Sequence, residues 1–251
     1  MGGWGVTVVA VSMVYNEIDI VSFTVRHMLA ECDEVIIADN LSTDGTHEML
    51  LDIALSEPRL HVEVEPSFAY EQQRTMNWLT EIARTEYGAT WVVPFDMDEY
   101  VYSPAWKIYE VLPSLATQQV KVGAYEFHPQ PTDDAKERNP FKRVVWRRDL
   151  TPDHKVAFVP KSGSVLSFGN HIYGDAWEEV SRSTLYIRHV PYRSLEQAKA
   201  KSRHGKAALE AAGQGTQGWH WRHMGGWSDA EWSAWWETWL AHDGLTKDPP
   251  P

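Results

Sequence analysis

Three carboxylates follow a short apolar run near the middle of the 251-residue chain. Residues 91–95, Trp-Val-Val-Pro-Phe, come directly before Asp96, and Asp98 and Glu99 follow shortly after it. A short apolar run of this kind is typical of a buried strand, which would present Asp96 and Asp98 at its carboxyl end. Carboxylate oxygens are the ligands that Mg²⁺ and Mn²⁺ prefer, and these ions complete their coordination with water and substrate phosphates. The pattern therefore indicates an enzyme that acts with a divalent metal on a phosphate-bearing substrate.

Two more polar clusters follow predicted strands in the first half of the chain. Strand and helix patterns alternate there, with strands at 6–14, 34–38, 60–64 and 91–95 and helices at 18–30, 48–55 and 71–87. This alternation predicts an α/β fold with a mainly parallel central sheet and helices on both faces. Ligands of such sheets bind beyond the carboxyl ends of the strands. Because Asn16, Glu17 and Asp39 each follow a strand, we expect them to share one edge of the sheet with Asp96 and Asp98.

The second half of the chain has a different pattern. A helix is expected to begin at Ser103 and Pro104, because Ser is a common N-cap and Pro a common first helical residue. Short strands then predict a smaller mixed β region, and a helix at 194–212 begins a segment of C-terminal helices. These strands are predicted at 120–127, 143–147, 156–159, 165–168 and 184–190. Residues 247–251 are expected to form a frayed tail. No linker separates these parts, so we expect a single domain over 1–251.

The overall charge and the apolar pattern limit the classes of partner. A net charge of -12 argues against broad electrostatic binding to nucleic acid or anionic lipid. No apolar run approaches the length of a membrane-spanning helix, so we expect no integral membrane association. Cys32 is the only cysteine, which excludes an intramolecular disulfide and makes a cytoplasmic location the default expectation.

The chain contains 13 Trp, and several of them lie near the C-terminus. Four of these follow helical spacing: Trp232, Trp235, Trp236 and Trp239. Ser228 and Glu231 form the capping-box pattern for that helix. We therefore predict a C-terminal helix that docks an aromatic face onto the body. The alternative is a surface that stacks on sugars or binds a partner, because Trp offers a flat apolar face with one donor; it applies best to Trp219 and Trp221.

An ordered set of motifs connects these pieces. Tyr-Asn-Glu stands at 15–17, Asp-Asn-Leu-Ser-Thr-Asp-Gly-Thr at 39–46 and Asp-Met-Asp-Glu-Tyr at 96–100. Later come Gly-Asn-His at 169–171, and His-Val-Pro-Tyr-Arg-Ser at 189–194 followed by Lys201. Over most of residues 6–206 the chain resembles glycosyltransferases of the GT-A fold, specifically the family 2-like group. The Trp-rich C-terminus has no counterpart in this resemblance.

The resemblance implies a donor and its binding residues. The donor is a nucleotide-diphosphate sugar, with a UDP- or GDP-sugar expected. Asp39 would lie near the nucleobase or ribose, and Asn16 and Glu17 would border the same pocket. Arg74, on the helix before the motif strand, would reach the diphosphate. The chain then divides into a nucleotide-sugar-binding half at 1–115, an acceptor-side half at 116–193, and C-terminal helices with the Trp-rich segment at 194–251.

The resemblance also implies a metal site and a chemical step. Asp96 and Asp98 would form the Asp-x-Asp motif that holds Mn²⁺ or Mg²⁺, with Asp98 in direct contact, and His171 would complete the coordination. A transfer that inverts configuration needs a base for the attacking hydroxyl. Asp175 and Glu178 are the candidate bases. Further candidates are Glu179 and Asp153.

Other interpretations of the same residues remain open. Clustered carboxylates also occur in metal-dependent phosphoesterases and nucleases, and the Trp content fits a non-catalytic carbohydrate-binding protein. Asn16 and Glu17 fit a helix N-cap, and Arg74 fits a surface helix position. A structural role is the common one for a histidine; the Gly-Asn-His context favours a functional role for His171, while His189 stays open between the two. The acceptor is not identified by the sequence: a glycan, a protein, a lipid-linked sugar and a modified nucleic acid all remain.

Overall fold

The structure is a computed structural model that describes residues 6–151, 154–174, 181–213, 218–241 and 243–249. Within these ranges the strands are Val8–Val14 (β1), Glu34–Asp39 (β2), Leu60–Val64 (β3), Trp91–Pro94 (β4), Glu99–Tyr102 (β5), Gln119–His128 (β6), Trp146–Arg147 (β7), His154–Phe158 (β8), Ser181–His189 (β9) and Thr246–Lys247 (β10). The helices are Val21–Glu31 (α1), Thr46–Ser56 (α2), Gln72–Thr85 (α3), Ile108–Val111 (α4), Pro140–Arg143 (α5), Leu195–Ala211 (α6), Trp219–Met224 (α7) and Asp229–Leu240 (α8). None of the helices in these ranges is both long and apolar enough to cross a membrane.

The first half forms the predicted parallel sheet. Strands β3, β2, β1 and β4 lie in that order and run parallel throughout. The chain moves from β1 to one side for β2 and β3, and it crosses to the other side of β1 for β4. A ligand crevice forms where the strand order reverses in this way, outside the carboxyl ends of the strands. The reversal therefore places the crevice at the ends of β1 and β4, with β2 beside them.

Alternating side chains of β1 explain why helices cover both faces of the sheet. Successive residues of a strand point to opposite faces. Val8 and Ala10 belong to the buried cluster that includes α1 and α2. Val9 and Val11 belong to a second cluster with Met76 and other residues of α3. Because both faces are apolar and covered, the strand reads as a nearly continuous hydrophobic run.

The second half is a mixed sheet whose elements differ in part from the prediction. Strand β8 is antiparallel to β4 and β6, while β6 is parallel to β9. Strand β5, which the sequence analysis missed, pairs with β9 directly after the carboxylate motif. The predicted strand at 165–168 is wrong, since it contains one bridge, Leu166 to Tyr173, and the start of a 3-10 turn, Phe168–Asn170. The predicted strand at 143–147 is instead the end of α5 and the two-residue β7.

The helix predicted from Ser103 and Pro104 begins later, at Ile108. Its first turn is held from a distant part of the chain. Glu31, the last residue of α1, accepts a hydrogen bond from the backbone N–H of Ile108 at 3.1 Å and pairs with Lys107 Nζ at 2.6 Å. A long-range carboxylate therefore replaces the local Ser cap, which explains why the local pattern predicted the wrong start.

The C-terminal segment is docked, not frayed, over the residues that the structure describes. Strand β10 pairs with β7 in antiparallel orientation. Asp248 accepts a hydrogen bond from Arg147 Nε at 2.6 Å, and its backbone carbonyl accepts one from Arg188 at 3.0 Å. The expectation of a free tail is wrong for residues 247–249, and residues 250–251 lie outside the described ranges.

The C-terminal helix α8 confirms the prediction of a docked aromatic face. Ser228 and Glu231 form the predicted capping box. Trp232 is fully buried in a cluster with Tyr192 and other aromatic residues of α8. Trp219, by contrast, is 72% exposed.

These two Trp residues give a stability prediction. Trp232→Ala removes a fully buried ring, and we expect the free energy of unfolding to fall by about 3–5 kcal/mol. Trp219→Ala is the matched control, with an expected change within about 0.5 kcal/mol. Urea denaturation followed by far-UV circular dichroism measures both. Equal losses for the two variants would contradict the docking of α8.

Candidate active site

Lys201 joins the ends of β1 and β4 at the point where the strand order reverses. Its Nζ lies 2.5 Å from Asp98 Oδ2 and 2.9 Å from Glu17 Oε1. Glu17 follows β1 and Asp98 follows β4, and both carboxylates are buried. Lys201 comes from α6, which begins after Ser194, whose side chain accepts a hydrogen bond from the N–H of Gln197. One ammonium group from the C-terminal region thus bridges two strand ends of the parallel sheet.

Arg193 holds Glu17 from its other side. The guanidinium donates to Glu17 Oε2, and it also binds Asp19 through two hydrogen bonds of 2.7 and 2.8 Å. Such a fork is the strong, planar arrangement that Arg forms with carboxylates. Helix α1 begins at Val21 with Ile20 at its N-cap, so Glu17 is not the helix cap. The buried Glu17 is therefore fixed between Arg193 and Lys201.

His189, the last residue of β9, adds a further positive charge beside Asp98. Its Nε2 lies 3.6 Å from Asp98 Oδ2. Burial by itself would lower the pKa of His189, but the Asp98 carboxylate outweighs it and raises this pKa to about 9. Burial would likewise raise the pKa of Asp98, yet Lys201 and His189 hold it well below its usual range. Asp98 is therefore an ionised carboxylate with cationic neighbours.

Asp96 and Glu99 share the second buried lysine of the site. Lys155 Nζ, from β8, lies 2.5 Å from Asp96 Oδ2 and 3.2 Å from Glu99 Oε2. Glu99 also accepts a hydrogen bond from the N–H of Asp96 at 2.9 Å, so Glu99 helps to orient the start of the motif. Burial, together with the negative charge of Asp96, raises the pKa of Glu99 to about 7, although Lys155 opposes the shift. The side chain of Asp96 is 39% exposed, so this carboxylate reaches solvent.

Asp39 carries a buried oxygen atom without a hydrogen-bond partner among the described residues. Asp39 ends β2, and its Oδ2 accepts a hydrogen bond from the N–H of Ser42 at 3.0 Å. His47 Nδ1 lies 3.5 Å from the same oxygen. The other oxygen, Oδ1, is buried and unpartnered. A buried acceptor in this condition is unusual in a folded protein and points to a donor that binds from outside.

Asn16 connects the loop after β1 to the turn after β2. Its Oδ1 accepts a hydrogen bond from the N–H of Thr43 at 2.7 Å, and its own N–H donates to Ser42 Oγ at 3.0 Å. Its φ of 51° lies in the left-handed region, which Asn tolerates better than most residues. Asn16 therefore fixes the two loops next to Glu17 and Asp39, and its contact with a donor stays a prediction.

Helix α6 covers this edge of the sheet at three points. Lys201 contacts the ends of β1 and β4, as described above. One turn later His204 stacks on Tyr15, with ring centroids 3.5 Å apart and planes inclined by 11°. Near the end of the helix, the carbonyl of Ala208 accepts a hydrogen bond from the N–H of Tyr70 in the segment after β3. One face of α6 thus covers the strand ends.

Comparison with known proteins assigns the family. The model of glycosyl transferase family 2 matches residues 10–167, which is more than half of the chain. The chain belongs to glycosyl transferase family 2. It is accordingly a glycosyltransferase that uses a nucleotide-sugar donor. The membership bears out the resemblance noted in the sequence and counts against the phosphoesterase and non-catalytic interpretations.

The chain also matches solved structures. One of them is the "Mannosyltransferase PcManGT from Pyrobaculum calidifontis in complex with GDP-Man and Mn2+". It is 16% identical, with a TM-score of 0.44, and the match covers 96% of this chain and 77% of that chain. No curated protein matches the chain.

Two predicted residues of this family 2 enzyme lie apart from the paired carboxylates. Arg74 donates two hydrogen bonds of 2.8 Å to the buried Glu65 and also pairs with Glu71. His171 follows the 3-10 turn and is exposed. The described residues contain no group of three or more His, Cys, Asp or Glu arranged to hold a metal ion, so His171 is not assembled with Asp96 and Asp98 here. Metal ligation by His171 stays a prediction, and so does the contact of Arg74 with a diphosphate.

The candidate bases fall in segments that the structure does not cover. Asp175 and Glu178, with the further candidates Glu179 and Asp153, lie outside the described residues. Their roles as bases therefore stay predictions.

The charged partners of the site were mostly missed by the sequence analysis. His189 was left open between two roles, and Arg193 and Lys201 entered only as parts of a motif. The motif itself was the available signal for these three, although it does not show which carboxylate each one binds. Lys155 was not assigned, because nothing local marks a lysine on a short strand as the partner of a carboxylate 59 positions away.

The Lys155–Glu99 pair gives a second stability prediction. Lys155→Met leaves the buried Glu99 without its lysine. Because the pKa of Glu99 is about 7, we expect only a small loss of unfolding free energy near pH 7, where Glu99 can take up a proton, and a loss of about 2–3 kcal/mol at pH 9, where Glu99 is ionised in the wild type. Lys155→Met combined with Glu99→Gln should recover most of the loss at pH 9, because the buried carboxylate is then replaced by a neutral group. Chemical denaturation of the wild type, both single variants and the double variant at the two pH values completes the cycle.

An exposed pair is the control for this cycle. Arg84 binds Glu81 on the surface of α3, and Arg84→Gln should change stability by at most about 1 kcal/mol. If the double variant lost as much stability as the sum of the two single variants, Lys155 and Glu99 would not be coupled.

Proposed function

We propose that the protein transfers a sugar from a nucleotide-diphosphate sugar to an acceptor hydroxyl, with Mn²⁺ or Mg²⁺ held by Asp96 and Asp98. The observation that carries the proposal is the position of these two residues. They follow β4 directly, where the strand order reverses, and Asp98 meets Glu17 from the end of β1 at Lys201. Ligands of parallel sheets bind at this point.

The donor atoms present fit a divalent cation that shares its ligation with the substrate. The carboxylate of Asp96 is partly exposed and can bind a cation, and Asp98, two residues later, adds a buried carboxylate. Mg²⁺ is usually bound by one or two carboxylates together with waters and substrate phosphates, so a full cage of protein ligands is not required. When bound, the cation would stabilise the negative charge that develops on the departing diphosphate.

The chain's own residues prepare the site for this step. Lys155 pairs with Asp96, and the backbone N–H of Asp96 donates a hydrogen bond to Glu99. Arg193 and Lys201 hold Glu17. Groups that are already fixed by such contacts need little reorganisation when charge develops in the transition state. The fixed ion pairs therefore support a site that stabilises the negative charge of the leaving diphosphate.

The buried oxygen of Asp39 supports a nucleoside site at the end of β2. Asp39 Oδ1 has no partner within the described ranges, and an ionised carboxylate accepts hydrogen bonds only. A nucleobase N–H or a ribose hydroxyl supplies the missing donor. Uracil of a UDP-sugar and guanine of a GDP-sugar both carry such an N–H donor.

A cavity next to Arg193 supports an acceptor site. The cavity has a volume of about 400 Å³ and is lined by Arg193, Trp236, Asp133 and Arg143 among others. An aromatic face with charged groups beside it is suited to a sugar ring and its hydroxyls. We assign the acceptor to this side of the site and Asp175 or Glu178 to the base, with a glycan, a protein, a lipid-linked sugar and a modified nucleic acid as acceptor classes.

Donor binding with metal tests the proposed function. UDP, GDP and their sugars, each with and without Mn²⁺, are screened for an increase in thermal stability. A ligand at about 100 times its dissociation constant stabilises the folded state by about 2.7 kcal/mol. In Asp98→Asn the Mn²⁺-dependent part of this stabilisation should disappear, and kcat/KM for transfer should fall by about 10²–10³-fold.

A surface carboxylate provides the control for this test. Asp229 on α8 is 78% exposed, and Asp229→Asn should keep both the stabilisation and the transfer rate. Wild-type transfer activity in Asp98→Asn would contradict the metal assignment. Cleavage of a phosphodiester without sugar transfer would instead favour a hydrolase.

The nucleoside site has a separate test. Asp39→Asn keeps one acceptor oxygen but loses the charge, and a hydrogen bond to a charged group contributes about 1.5–3 kcal/mol. We expect the affinity for UDP or GDP to fall by about 10–100-fold in isothermal titration calorimetry. Inorganic diphosphate with Mn²⁺ should bind both proteins equally, because it lacks a nucleoside. An equal loss for both ligands would place Asp39 near the diphosphate instead.

A further inference from the structure

Lys201 binds an oxygen of Asp98, the residue that would hold a divalent cation under the proposed function. Its Nζ lies 2.5 Å from Asp98 Oδ2, well within ion-pair distance. A divalent cation that binds the same oxygen would meet the ammonium group at close range. Two positive charges in a partly buried site repel each other strongly, because the local dielectric is far below that of water. In the state described here, Lys201 and a metal ion therefore compete for Asp98.

Lys201 can move away from Glu17 and Asp98, because each of these carboxylates then keeps another positive neighbour. Glu17 keeps its hydrogen bond from Arg193, and Asp98 keeps His189 at 3.6 Å. Lys201 is also more accessible than the other buried lysine: its side chain is 22% exposed, against 7% for Lys155. Its long, flexible stem allows the ammonium group to move without moving α6.

A diphosphate removes the competition between the two cations. It brings negative charge to the same crevice and offers oxygen atoms to both Lys201 and the metal. Once it is bound, the ammonium group has a new partner and Asp98 Oδ2 becomes available. Metal binding and diphosphate binding should therefore favour each other, and the coupling must be reciprocal.

We propose that Lys201 is an exchangeable counter-cation: it occupies Asp98 until a nucleoside diphosphate and a divalent cation arrive together, and it then transfers its ammonium group to the diphosphate. The inference rests on the proposed function, since it concerns the same donor site. It assigns to Lys201 two roles, exclusion of metal from the empty site and contact with the phosphates of the bound donor. No bond is made or broken in the exchange.

The two roles predict opposite effects of one substitution. In Lys201→Met, Mn²⁺ alone should bind about 10-fold or more tightly than it binds the wild type, because its competitor is gone. UDP or GDP in the presence of Mn²⁺ should bind the variant more weakly, because a phosphate partner is lost. The factor by which nucleotide raises Mn²⁺ affinity, expected at about 5–150-fold in the wild type, should fall towards 1.

Electron paramagnetic resonance of free Mn²⁺ measures these affinities without requiring activity. Titrations are run with Mn²⁺ alone and with saturating UDP or GDP. Lys201→Gln serves as a second variant, since it removes the charge but keeps a hydrogen-bond donor for Asp98; thermal denaturation establishes that each variant is folded. Lys199→Met is the matched control, because Lys199 lies on the same helix but pairs with Asp229 and Glu196 at the surface.

The outcomes separate the inference from the proposed function. Tighter Mn²⁺ binding and weaker nucleotide binding in Lys201→Met and Lys201→Gln, with Lys199→Met like the wild type, support the exchange. Unchanged or weaker binding of Mn²⁺ alone by both Lys201 variants overturns it and leaves the proposed function intact. A wild type that binds no Mn²⁺ even with UDP or GDP overturns the metal site itself, and with it the exchange.

Discussion

The bridge from Lys201 to Glu17 and Asp98 is the interaction on which the site depends. It joins the end of β1, the end of β4 and the C-terminal helix α6 through one ammonium group. The parallel sheet can align its strand ends, but alignment alone would leave buried carboxylates facing each other. Like charges at that distance repel, and removal from water adds to the energy required. The opposite charge comes from Lys201 of α6 together with His189 and Arg193, which precede that helix, so the first strands and the C-terminal region must fold together to complete the site.

The same constraint sets the chemistry of the whole edge. Three carboxylates of this edge are buried: Glu17, Asp98 and Glu99. Arg193 and Lys201, from the C-terminal region, pair with Glu17 and Asp98, and Lys155, from the mixed sheet, pairs with Glu99. A buried pair contributes less to stability than its short distances imply, since desolvation offsets the attraction, whereas removal of one partner is strongly destabilising. The arrangement thus gives a fixed, charge-balanced site, which suits a reaction that develops negative charge on a leaving group.

The sequence predicted the parts of this arrangement that depend on local pattern. Strand β3 was placed correctly at 60–64, and the polar residues after β1, β2 and β4 were assigned to one edge, because apolar periodicity and the parallel order determine both. The start of α4 was wrong, because its cap is Glu31, a carboxylate 77 positions away in the sequence. The ion pairs of Lys155 and Arg193 were missed for the same reason, since an ion pair across the fold leaves no periodic signal. The predicted 165–168 strand failed because only Leu166 of this stretch is fully buried, while Val165 is exposed and Phe168 begins a 3-10 turn.

The matched family region ends before the site is complete. The family match stops at residue 167, yet His189, Arg193 and Lys201 lie beyond it and contact Asp98 or Glu17. The region that matches supplies the carboxylates and the strand ends. The region beyond it supplies the cations that contact Glu17 and Asp98, and the helix that covers the strand ends through the stack of His204 on Tyr15. Under the proposed function, a donor at these strand ends meets α6 as well as the sheet, so part of its binding energy would reorganise the contacts of that helix. Since Lys201 is the cation nearest to Asp98, the diphosphate is the part of the proposed donor that would make this rearrangement favourable, and a nucleoside alone would not.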